Sequence, residues 1–172
     1  ASIEHFRNQE DGSYALFTST SGLVGNIGQA NYAAAKMGIM GLSRIIAMEG
    51  GRKNVRSNII APFAWTRMIA SIPVKDEEGA KRVERMRNAM RADQVAQLAV
   101  ALCADGAAQV SGQVFSVRGN ETMLFSQPRP VKFMSRSEGW TPTSLIDHAF
   151  PAMEGSFYDA GASASVFPYD PV

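Results

Sequence analysis

The stretch STSGLVGNIGQANYAAAK, residues 19–36, leaves an apolar segment (Tyr14 to Thr18), crosses a glycine-rich loop and enters a helix. Short, mostly apolar runs such as Tyr14–Thr18 are what a buried parallel strand requires. The glycines at 22, 25 and 28 let the loop approach a ligand closely. Inside the helix Tyr32 and Lys36 are four apart, so they share a face. A phenol beside an ammonium is chemically useful. The cation favours the phenolate, so a tyrosine with a reference pKa of about 10 is drawn towards neutral. Such a group can pass a proton to or from a substrate oxygen. Ser19, at the mouth of the loop, offers a hydroxyl to hold the same oxygen.

A Y-x-x-x-K pair alone is common. The full order of apolar strand, Ser19, Gly22, Gly25, Gly28 and N-Y-A-A-A-K opening an apolar helix is specific. It resembles the short-chain dehydrogenase/reductase family. The resemblance covers residues 1 to about 120, and the tail only for some members. It implies an α/β fold, the C-terminal part of a doubly wound parallel Rossmann-type sheet, and NAD or NADP as cofactor. It gives Ser19 the task of orienting the substrate oxygen, Tyr32 that of acid and base, and Lys36 that of holding the nicotinamide ribose and lowering the tyrosine pKa. Val55 to Ala61 is the next expected strand. After it, Pro62, Ala64 and Thr66 occupy the place of the family's loop under the nicotinamide, so the resemblance makes them cofactor-binding together with Tyr32 and Lys36. Thr66 is also a candidate cap for the short helix that follows. Where the family has P-G, this chain has Pro62-Phe63. With that departure, GNIGQANYAAAKMGIMGLSRIIAMEG and IAPFAWTRM are similar to the (3R)-hydroxyacyl-CoA dehydrogenase domains of peroxisomal multifunctional enzymes. The implied substrate is a small molecule, a 3-hydroxyacyl or 3-oxoacyl thioester of CoA or a carrier protein.

The family's dinucleotide fingerprint, G-x-x-x-G-x-G, is not in this sequence. The resemblance places it upstream of Ala1, with the N-terminal nucleotide-binding half. A rival reading follows: a truncated, non-catalytic fragment or interaction module that cannot bind the dinucleotide alone. The expected domains are 1–120, the C-terminal part of a dehydrogenase domain, and 121–172, an extension with one short helix.

The helix expected over 29–49 is apolar almost all round, so one sheet cannot cover it. Its small residues, Ala34, Gly38 and Gly41 among them, permit close helix approach. A homo-oligomer built through this helix is the expectation, with Tyr32, Lys36 and Ser43 on one polar line. Further on, Lys75 to Arg91 is charged and mixed in sign, with Glu77–Lys81 and Glu78–Arg82 as favourable i, i+4 pairs. It reads as a solvated helix, although Arg82, Arg85, Arg87 and Arg91 could meet the phosphates of a CoA thioester. Asp93 is the expected cap of a helix over 94–103, and Val114 to Val117 the last core strand. In the tail, Thr141-Pro142 should start a helix that Pro151 stops.

With 172 residues, 45% of them hydrophobic and 19% charged, the chain can bury a core. A net charge of +1 argues against nucleic acid as a partner. No run of 18 apolar residues predicts a membrane span. The single cysteine, Cys103, excludes a disulfide within the chain and reads as packing in an apolar helix, and a cytoplasmic, reducing location is expected. His5 and His148 are isolated, so no metal site is expected.

Overall fold

The computed structural model describes residues 2–71, 73, 74 and 76–171. Ile72 of the expected Ile72-Pro73 break and Lys75, the expected first residue of the charged helix, lie outside them. The described chain forms two compact units, one of residues 2–126 with 161–171, the other of residues 127–160.

The first unit is a four-stranded sheet in the order β1 (Gly12–Phe17), β2 (Val55–Phe63), β3 (Val114–Arg118), β4 (Glu121–Leu124). The first three strands are parallel and β4 runs antiparallel to β3. This is the α/β class expected from the sequence. Helix α1 (Ser2–Gln9) precedes β1, and the short α2 (Thr20–Leu23) follows it. The long α3 (Ala30–Gly50) links β1 to β2. Helices α4 (Arg67–Ala70), α5 (Glu77–Ala89) and α6 (Ala92–Cys103) lie between β2 and β3.

Successive side chains of a strand point to opposite faces. Ile59 packs with Met40 of α3 and Val114, whereas its neighbour Ile60 packs with Val95 and Leu102 of α6 and Val117. The sheet is therefore covered by α3 on one face and α6 on the other. Arg56 ties α6 down. Its buried guanidinium donates to the carbonyls of Leu102 (2.7 Å), Ala104 (3.1 Å) and Ala107 (3.0 Å). Carbonyls at a helix C-terminus lack intrahelical partners and carry partial negative charge, so a cation is favoured there.

Several local expectations are corrected. Asp11-Gly12 is a turn signal in the sequence, but the turn before β1 takes its positive φ at Glu10 (56°), and Gly12 is already strand. Gly50-Gly51 ends α3 as the sequence predicts, and the left-handed residue follows at Asn54 (φ 53°), after a 3-10 turn over Gly51–Lys53. Asp93 does not cap α6. The helix starts at Ala92, and Gln94 Oε1 accepts the Arg91 backbone N–H at 2.8 Å, which leaves Asp93 to pair with the Arg91 guanidinium at 2.9 Å. Cys103 is exposed rather than packed, since it stands at the end of α6, rotated about 100° from the buried Leu102. Ser43 leaves the expected polar line and is buried against the sheet, where its Oγ lies 2.8 Å from Ser57 Oγ.

In the second unit Thr141 caps as expected: its Oγ1 accepts the Ser144 N–H at 3.1 Å, and Pro142 takes the first helical position. Pro151 does not stop this helix. A π-helical turn over Leu145–Ala149 joins α7 (Pro142–Ser144) to α8 (Phe150–Met153). The Phe150 N–H reaches back to the Leu145 carbonyl, and this wider turn shifts the bonding register just before the proline, which has no N–H to give.

Candidate active site

The site begins where β1 ends. The Thr18 N–H donates to the Ile60 carbonyl at 2.9 Å, extending the pairing with β2, and its Oγ1 donates to the Lys36 carbonyl at 2.6 Å. Lys36 returns the contact: its ammonium donates to the Phe17 carbonyl at 3.2 Å. Two hydrogen bonds of opposite sense thus clamp the end of β1 to the second turn of α3. Gly22 makes the approach possible, because a Cβ there would stand 3.1 Å from Met37 N and 3.3 Å from the Ala33 carbonyl oxygen. Ser19, next after Thr18, is extended (φ −153°) and caps α2, its Oγ accepting the Ser21 N–H at 3.2 Å. The loop then turns through Gly25 (φ 133°) and Gly28 (φ 79°), values that other residues rarely adopt.

The structure brings Tyr32 and Lys36 together as their spacing requires. The Lys36 Nζ lies 5.7 Å from the centroid of the Tyr32 ring. Tyr32 is 42% exposed, so its phenol faces outward from α3. Pro62 and Ala64 run out of β2 half-buried, and Ala64 packs against the Ile60 cluster. Thr66 caps α4 as expected: the Ile69 N–H approaches its Oγ1 at 3.4 Å and the Ala70 N–H bonds its carbonyl at 2.9 Å. Because β1 and β2 are parallel and paired in register through Phe17 and Ile60, the Ser19 loop and the Pro62–Thr66 loop leave the same, carboxyl edge of the sheet. That edge is where open α/β sheets take ligands.

Beside it lies a cleft of about 440 Å³. Phe63, Arg82, Met86, Met90, Arg118 and Phe167 are among the residues that line it. Of the four arginines singled out in the sequence, Arg82 and Arg85 line this cleft. Arg91 is turned to Asp93, whose carboxyl it holds below the usual range, chiefly through the hydrogen bond. Glu77 and Lys81 pair at 2.9 Å, and Arg85 pairs with Asp170 at 3.4 Å.

Three features were not read from the sequence. Thr18 ends the apolar run of residues 14–18 with a hydroxyl, and a hydroxyl closing such a run is a signal. Arg118 closes β3, where the sequence offers no local signal of its role. It is 6% exposed, lies 3.2 Å from Glu121 and 4.7 Å from the centroid of the Tyr169 ring, and donates to the Tyr169 carbonyl. The return of residues 161–171 to this unit has no local signal. Among the described residues no cluster of His, Cys, Asp or Glu could hold a metal ion, and no helix is long and apolar enough to cross a membrane.

A parallel α/β sheet with a Tyr–Lys pair and a serine-bearing, glycine-rich loop at its carboxyl edge is the architecture of a dehydrogenase of the Rossmann class. The family model described as enoyl-(acyl carrier protein) reductase matches residues 1–119, and the chain belongs to the short-chain dehydrogenase/reductase family. It is 39% identical over 137 residues to a short-chain type dehydrogenase/reductase of Mycobacterium tuberculosis, covering 77% of this chain and 46% of that one. It is 44% identical over 105 residues to the peroxisomal hydratase-dehydrogenase-epimerase of Neurospora crassa, covering 61% of this chain and 11% of that one. A crystal structure of a short-chain dehydrogenase from Mycobacterium avium superposes with a TM-score of 0.72 at 30% identity, over 91% of this chain and 52% of that one. The chain thus spans about half, or less, of each of these proteins.

Proposed function

We propose that this chain carries the acid–base site of an NAD(P)-dependent oxidoreductase that interconverts a secondary alcohol and a ketone. The observation that carries the reading is the Tyr32–Lys36 pair, held by the Thr18 and Phe17 clamp at the carboxyl edge of the sheet. Tyr32 Oη exchanges a proton with the substrate oxygen. The Lys36 ammonium, fixed by one backbone carbonyl, stabilises the phenolate that remains and keeps protons for further acceptors. Ser19 Oγ, which accepts the Ser21 N–H, keeps its own proton to donate to the same substrate oxygen.

The residues present fit one end of a dinucleotide. Lys36, Tyr32 and the Thr66 hydroxyl form a donor set suited to ribose hydroxyls and a carboxamide, with Pro62 and Ala64 as the wall. When bound, a nicotinamide supplies hydride acceptance or donation, and the protein supplies position and the proton. The substrate we propose is a 3-hydroxyacyl or 3-oxoacyl thioester. Support comes from the names of relatives, among them a hydroxyacyl-CoA dehydrogenase of Mycobacterium tuberculosis (38% identical) and a 3-oxoacyl-(acyl-carrier-protein) reductase of Thermotoga maritima (34% identical). We further propose assembly of like chains through the open face of α3, and the cytoplasm as the compartment that fits a single unpaired thiol.

The test is Tyr32→Phe in the protein expressed from its full reading frame, assayed by nicotinamide absorbance with 3-hydroxyacyl thioesters. Removing only the proton-transfer group should cost roughly 10²–10⁴-fold in turnover and leave dinucleotide binding nearly intact. Retention of most of the turnover overturns the reading.

A further inference from the structure

Residues 161–171 return to the first unit from outside the stretch that matches the family, and they reach the loop between Ser19 and Tyr32. The contact centres on Ser163, which opens the short helix α9 (Ser163–Val166) and is 7% exposed. Its backbone N–H donates to the Gly25 carbonyl at 2.9 Å and its Oγ donates to the same carbonyl at 3.2 Å. The Asn26 side-chain amide donates to Ser21 Oγ at 2.9 Å and lies 3.4 Å from Ser163 Oγ. One chain of hydrogen bonds therefore runs from α2, directly after Ser19, through the loop to Ser163. Further along, the Phe167 ring packs edge-on against Phe63 (5.1 Å), and Tyr169 is held by Arg118. The segment is thus anchored on both sides of the carboxyl edge.

The loop needs this support. Gly25 (φ 133°) and Gly28 (φ 79°) give it many conformations when free. The Gly25 carbonyl receives its partners from Ser163. Where Ser19 and Tyr32 must meet one substrate oxygen, the link between them sets their geometry, and small misplacements at such a site are costly.

We propose that Ser163 is a positioning residue: through Gly25 and Asn26 it fixes the loop that aligns Ser19 with Tyr32. The catalytic consequence rests on the function proposed above, whereas the ordering of the loop does not. Ser163→Ala keeps the backbone bond and removes the hydroxyl. By hydrogen exchange on the 172-residue chain, amides 24–28 should exchange about three- to tenfold faster, the scale of one lost side-chain hydrogen bond, with β1, β2 and β3 unchanged. In the protein from the full reading frame the same variant should lower kcat roughly tenfold with a smaller change in KM, and Ser163→Thr, which keeps the hydroxyl, should recover most of it. Should Ser163→Ala unfold, Asn26→Ala removes the same link from the loop side and is read in the same way. Unchanged exchange at 24–28 overturns the proposal and leaves the proposed function standing. Faster exchange with unchanged kcat overturns the positioning role. Turnover retained in Tyr32→Phe overturns the proposed function and leaves the exchange result standing.

Discussion

The two faces of α3 differ in a way that composition does not announce. The face on the sheet buries Met40, Ser43 and Gly50, so it includes a serine and a glycine. The opposite face leaves Met37, Leu42, Ile45 and Met48 open, Met48 at 72%, and a Cβ at Gly38 or Gly41 would meet nothing within 4 Å. The more apolar side is the uncovered one. The sheet side is chosen by fit: Ser43 finds Ser57, and Gly50 lets β2 start against the helix, because a Cβ there would stand 2.8 Å from the Val55 carbonyl oxygen. Hydrophobicity says that a helix will be covered; steric and polar complementarity say by what.

That contrast can be broken from either face. The largest effect should come from the open one. Leu42→Glu with Ile45→Glu should abolish the self-association proposed through this face in the protein from the full reading frame, since an unpaired charge in a buried contact costs roughly 3–5 kcal/mol. Analytical ultracentrifugation reads this, and an unchanged sedimentation profile would overturn the proposed assembly through α3. On the covered face, Gly50→Ala should destabilise by about 1–3 kcal/mol, because the obstructing atoms are backbone and the β-carbon of Val55. Gly38→Ala, in open space on the same helix, should instead stabilise the isolated chain by about 0.5–1 kcal/mol. Urea midpoints compare the two, and equal signs would refute the assignment of faces. The smallest effect belongs to the polar end of the helix. Lys53, on the turn after α3, hydrogen-bonds Glu10 and holds its carboxyl below the usual range, with attraction between the charges adding to it. A depressed folded-state pKa contributes stability above the ordinary carboxylate pKa, and that stability is lost as pH falls through the folded value. Glu10→Gln should therefore slightly flatten the acid-side decline in stability, and added salt should mimic it at this exposed pair.

The strand–loop–helix unit around Ser19, Tyr32 and Lys36 was legible because its signals are local. An apolar run, permissive glycines and an i, i+4 pair all act within one segment. The strand β4 was also within reach, since Gly119 (φ 61°) and Asn120 form a two-residue turn of the hairpin type. It was missed because its burial alternates while its residues do not follow suit: Glu121 is half-buried and Leu124 is exposed. Pro151 misled because proline rules describe regular α-helix, and a π turn evades them. Ser163 could not be found at all. Its partners are 137 and 138 positions away, and nothing in GASASVFPYD has a period that points to them.

The return of residues 161–171 also makes the first unit discontinuous in sequence, so residues 127–160 form a closed excursion whose two ends are held by the same body. The entropy of closing such a loop grows only with the logarithm of its length, and doubling the length costs about 0.6 kcal/mol. The excursion is therefore where this chain can lengthen, shorten or be exchanged over evolutionary time at least thermodynamic cost, provided that Ser163 and Phe167 still reach home.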